Sequence, residues 1–256
     1  MSLLRKQDDR AVAYRTLSLG ALLKRGMLEL KVQNLDEWML FNSVRDGVYE
    51  KYAQRSEQIN QWLEAEKITP HLSKPEQRLL QQPFGTWSEQ ALTSVGWRVE
   101  ALGVMLWALH RIDRIPAYDQ QFEPEDVIAP LDILNPTIDF IWLATLRPEE
   151  ELACALDQAE MWNWRSRATE LERLGIRPKI GVSFREIIRS TAERAFTNGH
   201  IPMPINSDFP AFGKAYHQLD TDEYALTSAI AGERYVSLNW VCELSSEWES
   251  ISIDGA

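Results

Sequence analysis

Hydrophobic positions recur along this chain at helical spacing, and the alternation expected of strands is rare. Asp8 and Asp9 precede a segment in which Val12, Leu19, Leu22, Leu23 and Met27 fall near one helical face, with Gly26 close to its expected end. Leu35 and Asp36 open a long amphipathic stretch through Trp38, Phe41, Val44, Val48 and Tyr52 to Ile59, Trp62 and Leu63, which reads as two helices broken at Gly47 or, alternatively, one bent helix. Ser73 with Glu76 matches the reciprocal capping box, and Pro75 sits in a first turn, so a short helix is expected to run to about Gln82, before Pro83 and Gly85.

Ser88 to Ser94 reads as a further short helix leading into Val95 to Arg111, which is apolar nearly all round and is expected to be buried. After a loop rich in proline and acid, from Ile115 to Pro130, helices are expected at Thr137 to Leu146 and from Pro148 to about Leu174. Glu149, Glu150 and Glu151 complement the dipole of the second. Gly181 to Asn198 and Thr221 to about Glu243 are the remaining helices. Ile201 to Gly213 should be an irregular connector, and Trp248, Ile251 and Ile253 a short strand or packed tail. The pattern predicts an all-α protein, with at least eight helices, at most minor β and a nearly all-apolar central helix at about Val95 to Arg111. Without an internal repeat or a Gly/Ser linker, the expectation is a single helical domain over 1–256 with its core at about 9–248.

Composition is ordinary for a folded protein, with 45% hydrophobic and 25% charged residues. The excess of 38 acidic over 27 basic residues, a formal charge of −11, repels phosphate backbones and attracts basic surfaces. Nucleic acid is therefore not an expected ligand. The amino terminus has no apolar stretch of signal-peptide length, and the longest apolar run, Ala101 to Leu109, is too short to cross a bilayer. A reducing cytoplasmic location follows as the expectation, with no membrane association. Cys154 and Cys242 sit among apolar neighbours and read as reduced core thiols.

Chemistry is harder to find. His71, His110, His200 and His217 are scattered, none with a second ligand at metal spacing, so neither a metal nor a cofactor is expected. No phosphate loop, dinucleotide fingerprint or serine elbow is present. The acids at Glu149 to Glu151 and at Asp220, Asp222 and Glu223 stand at helix starts, where capping accounts for them. Trp38, Trp62, Trp107, Trp142, Trp162 and Trp240 fall in apolar patterns that favour core packing, while Trp87 and Trp248 are expected to be partly exposed.

Charged residues embedded in apolar helices are more informative. Arg98 and Glu100, beside Trp97, start the apolar helix. Arg147, Arg165, Glu233, Arg234 and Asn239 occupy comparable surroundings. One reading is an interhelical salt-bridge network that fixes register. The other is an arginine-lined pocket for a carboxylate or phosphate.

The phrases LSLGALLKRG at Leu17 to Gly26, WRVEALGVMLWAL at Trp97 to Leu109, LRPEEEL at Leu146 to Leu152 and GERYVSLNWVCEL at Gly232 to Leu244 resemble, in this order, the bacterial domain-of-unknown-function family 4272. The resemblance spans Leu17 to Trp248 and implies one continuous helical region, with no activity or catalytic residue to transfer. The leading functional expectation is a non-enzymatic cytoplasmic protein that binds a basic protein partner, for example neutralising or chaperoning a toxin-like domain. An enzyme or small-ligand sensor with an Arg/Glu-lined pocket for an anion, and a structural subunit of a larger assembly, are the alternatives.

Overall fold

The computed structural model describes residues 6–34, 42–178, 181, 183–242 and 248. Among these residues lie nine α-helices, a few single 3-10 turns and a hairpin of two-residue strands, which is the expected all-α class with minor β. The helices are α1 (Asp9–Gln33), α2 (Asn42–Ala65), α3 (Lys74–Leu80), α4 (Glu89–Ala108), α5 (Pro124–Ile128), α6 (Ile138–Trp142), α7 (Glu149–Arg173), α8 (Phe184–Thr197) and α9 (Thr221–Val241). The strands are β1 (Pro210–Ala211) and β2 (Lys214–Ala215). The expected helix start at Leu35 to Phe41 and the tail at Ile251 to Ile253 lie outside the described residues.

Caps explain most boundaries. Asp8 accepts from the Arg10 and Ala11 N–H groups at the start of α1, and Asp220 from those of Asp222 and Glu223 at the start of α9. Ser73 with Glu76, and Ser183 with Glu186, close capping boxes on α3 and α8. Four expected boundaries differ. Helix α1 continues through Gly26 to Gln33, because Gly26 gives close approach rather than a stop: a Cβ there would stand 3.1 Å from Val95 Cγ1. Helix α2 passes through Gly47, and α4 joins the two segments expected around Ser94 into one, capped by Ser88. Helix α6 is only the five-residue core of the expected Thr137 to Leu146.

The chain divides into two compact units. The first comprises Gln7–Asp113 and Phe122–Leu146 and holds α1 to α6. Helix α1 packs along α4 and α2, and α4 is buried continuously from Val99 to Leu109. Contact is close enough to demand glycine: a Cβ on Gly103 would stand 2.3 Å from the Phe122 ring, and one on Gly20 2.0 Å from Leu131 Cδ1. Trp62 and Trp107 belong to this core, and so does Trp87, which is 2% exposed instead of partly exposed because its indole N–H donates to the Leu79 carbonyl. Trp142 reverses its expectation in the other direction, at 61% exposed, with Arg10 of the same unit lying over its ring at 3.8 Å.

The second unit comprises Arg114–Gln121 and Arg147–Ala256, with Met1–Lys6. Helices α7 and α9 pack side by side and α8 lies on α7, while the hairpin of the same unit buries Ala211 and Ala215 and leaves Gly213 and Lys214 exposed. Trp162 on α7 stacks on Tyr118 with ring centroids 4.9 Å apart and takes the edge of Phe209 at 5.4 Å. Of the two thiols, Cys242 is buried, and desolvation with the nearby Asp157 carboxylate pushes it up to about 12. Cys154 is exposed on α7, contrary to its reading as a core thiol.

Candidate functional site

Three groups of buried charges organise the molecule, and two are closed. In the first unit, Arg15 on α1 holds Glu76 bidentately at 2.7 and 2.6 Å. Burial alone would raise the Glu76 carboxyl, but the Arg15 guanidinium, the Ser73 N–H and the charge of Arg98 together hold it below the ordinary carboxylate range. Arg25, also on α1, donates to Glu29 one turn later at 2.9 and 2.5 Å and to Ser56 Oγ. Glu29 in turn accepts the Gly85 N–H at 3.0 Å, so it ties α1 to the loop that follows α3. Both pairs are nearly sealed from solvent.

The third group, in the second unit, opens onto a cleft. Arg165 on α7 grips Asp208 through Nε at 2.7 Å and Nη2 at 2.8 Å, while its Nη1 donates to Thr169 Oγ1 and its plane lies 4.6 Å from the Tyr216 ring centroid. Asp208 also accepts the Phe209 N–H at 2.8 Å, the His217 N–H at 3.0 Å and His217 Nδ1 at 2.8 Å. Its carboxyl, raised by burial, is brought below its ordinary value by Arg165 first and then by His217 and Phe209. A carboxylate only accepts, so Nδ1 must carry the proton, and Nε2 is the basic nitrogen of neutral His217. The imidazole is half exposed, and with Arg165 and Asp208 it lines a cleft of about 850 Å³.

Backbone geometry builds this floor. Ile205 and Asp208 exchange both backbone hydrogen bonds across Asn206 and Ser207, whose φ values are 49° and 64°. Phe212 and Gly213, at 52° and 69°, join β1 to β2 in the same manner. Two turns of the type I′ pattern thus replace the expected irregular connector and aim Asp208 at Arg165. Non-glycine residues at positive φ carry strain. The opposite wall is α8, where Arg185 and Arg189 stand one turn apart and exposed, with Glu186 and the buried Ile188 between them. Glu172 on α7 completes the rim. Among the described residues neither Arg185 nor Arg189 forms an ion pair. Glu186 is held below the ordinary carboxylate range by the Ser183 N–H and hydroxyl.

Of the residues singled out in the sequence, Arg165 alone lines the cleft. Trp97, Arg98 and Glu100 lie in the first unit, where Trp97 and Arg98 are half-buried and the fully buried Glu100 accepts the Phe122 N–H at 2.9 Å. Arg147, Glu233, Arg234 and Asn239 lie in the second. Arg147 pairs with Glu151 one turn on at 3.0 Å, and Asn239 donates to the Tyr235 carbonyl at 2.9 Å. Glu233 is buried. Arg234 donates to the carbonyls of Pro116, Ala117 and Gln120 at 2.6, 3.3 and 2.8 Å, and lies over Tyr118. Buried charges here fasten loops as well as pair with one another. Sequence reasoning missed Arg15, Arg25, Glu29, Glu76, Asp208, Arg185 and Arg189. The available signal for Asp208 and His217 was polar residues in a long connector, where binding residues concentrate.

Among the described residues no group of three or more His, Cys, Asp or Glu is placed to hold a metal ion, and no helix is long and apolar enough to cross a membrane. No curated protein and no solved structure matches the chain. The family model described as Domain of unknown function (DUF4272) matches residues 39–184, which takes in WRVEALGVMLWAL and LRPEEEL and leaves the other two phrases outside. That match covers more than half of the 256 residues, and the chain belongs to this family.

Proposed function

We propose that this protein binds a small anionic ligand in the cleft between α7, α8 and the Asp208 turn, acting as a cytoplasmic binding or sensing protein. The observation that carries the reading is the pair Arg185 and Arg189, two like charges at i and i+4 facing an open cleft with no ion pair of their own among the described residues. Like charges at this spacing destabilise a helix by roughly 0.2 to 0.5 kcal/mol, and an anion between them removes the repulsion. The guanidinium fork suits carboxylate or phosphate. Beneath them the Arg165–Asp208 pair is too committed to rearrange, which makes it a preorganised floor. A cleft of about 850 Å³ suits a ligand of metabolite size.

Thermal denaturation against a panel of anions tests this. A ligand at one hundred times its Kd should add about 2.7 kcal/mol to stability. The Arg185→Ala, Arg189→Ala double variant should lose that gain while folding normally. A panel that leaves both proteins unshifted sinks the reading.

One observation favours a second reading, a protein partner. Ile138, Trp142 and Leu143 are 62%, 61% and 70% exposed side by side, with Arg10 lying 3.8 Å from the Trp142 ring centroid. Such a patch on an acidic protein suits a basic partner with an apolar anchor, such as a toxin-like domain. Co-purification from the native host with wild type and Trp142→Glu tests it: a partner retained equally by both would remove this patch from the case.

A further inference from the structure

His217 adds a proton to the recognition problem in the cleft. We infer that the anion bound there is a phosphoryl oxyanion, and that one proton is shared between one of its oxygens and His217 Nε2. The inference rests on the cleft being the ligand site.

Donors and acceptors in the cleft select the ligand. Each Arg165 nitrogen is already engaged, Nε and Nη2 on Asp208 and Nη1 on Thr169, and the side chain is fully buried, so only the second N–H of each Nη remains. Arg185 and Arg189 supply N–H donors for anionic oxygens. His217 Nδ1 is fixed on Asp208, and the His217 backbone N–H points to the same oxygen, so the ring is chelated in one orientation. Its neutral form therefore presents an acceptor, Nε2, beside two cationic donors. A carboxylate or sulfate has nothing to donate to it, whereas a protonated phosphate offers anionic oxygens and one O–H on the same tetrahedron. When the ligand arrives fully ionised, as a phosphate monoester does above about pH 6, the proton must come from solvent. The other charges around His217 are Asp208, Arg165 and Glu172 on the floor and rim, Arg185, Glu186 and Arg189 on α8, and the Lys214–Glu223 pair, closed on itself at 2.6 Å.

Calorimetric titration of the full chain with inorganic phosphate, sulfate and phenyl phosphate, at about pH 6 and about pH 8, tests this. Sulfate has no proton to give to Nε2, and free protons become scarcer as pH rises. Phosphate brings its own proton, so its advantage over sulfate should grow from the lower to the higher pH. Phenyl phosphate should take up about one proton at the higher pH, read from the dependence of the heat on buffer ionisation. Whichever of phosphate and phenyl phosphate binds more tightly identifies free phosphate or a monoester as the natural source. His217→Phe should flatten the pH dependence while sulfate still binds through Arg185 and Arg189. A phosphate-to-sulfate ratio that is the same at both pH values overturns the inference and leaves the anion cleft standing. Failure of all three probes to bind overturns the inference, and the cleft reading falls with it only if the wider anion panel, carboxylates included, also leaves the protein unshifted.

Discussion

Arg25 with Glu29 and Arg165 with Asp208 are the same chemistry in two settings. Each is an arginine on a long helix paired with a buried carboxylate that also accepts backbone N–H groups from a loop. Around Glu29 every visible partner belongs to the core, and the pair fastens the loop after α3 to α1. Around Asp208 one partner, His217, is half exposed and lines a cleft with Arg185 and Arg189, which form no ion pair among the described residues. What separates a structural ion pair from a site is the surface beyond it, not the pair.

The largest expected effect sharpens the structural side. Glu29→Ala strands the Arg25 charge and the Gly85 N–H in the core and should cost roughly 3 to 5 kcal/mol. Urea denaturation checks it, and a loss below about 1 kcal/mol would show that the pair is not fixed as described. Arg234→Ala should follow at roughly 1 to 3 kcal/mol in all, because the shared donor to the Pro116, Ala117 and Gln120 carbonyls is lost while those of the exposed Ala117 and Gln120 regain water. Gly103→Ala should cost roughly 1 to 3 kcal/mol by driving a methyl into the Phe122 ring, measured in the same way.

Acid should act on both sides of the comparison. Glu76 and Asp208 each titrate below their unfolded values, so their contributions are present above about pH 4, where the unfolded chain has already lost those protons. As pH falls through the folded values the two sites protonate and those contributions disappear. Melting temperature should hold between about pH 7 and 5 and drop below about 4, and Asp208→Asn should reduce that drop. The smallest expected effect belongs to the cleft. His217→Phe should change stability by less than about 1 kcal/mol, since the ring is half exposed, while altering anion binding. A larger loss would move His217 to the structural side.

Much of the fold was legible in the chain because its signals are local. The Ser73/Glu76 box, the Asp220 cap, and the apolar run of α4 each lie within a few turns of one another, and each placed its element. Gly26 misled because a glycine inside a helix looks like a stop until the neighbour it admits, Val95, is known, whereas nothing among the described residues comes within 4 Å of a Cβ on Gly47, which α2 simply accommodates. The site was mostly illegible for the opposite reason. Arg165 stood out as a charge among apolar residues, but Asp208 is 43 positions away and is brought to it by paired turns whose left-handed residues, Asn206, Ser207 and Phe212, include a serine and a phenylalanine. Arg185 and Arg189 look like any solvated helix face until a cleft is found in front of them. Arg98 and Glu100 stood out as charges in an apolar helix, but the sequence did not show what each meets: Glu100 secures the Phe122 backbone and Arg98 lends its charge to Glu76.

The bonds from Arg234 to residues 116–120 span 114 to 118 positions of sequence. Segment 114–121 leaves the first unit and returns to it, so it is made long before the helix that secures it. Such closures raise contact order and slow folding, because the loop entropy is lost before the contact is gained. During synthesis the first unit has all its residues once Leu146 has emerged, whereas the second must wait for α9. Assembly of the cleft-bearing unit is therefore the late kinetic event, and shortening the chain from its carboxyl end would strip segment 114–121 of its anchor while sparing every residue that lines the cleft.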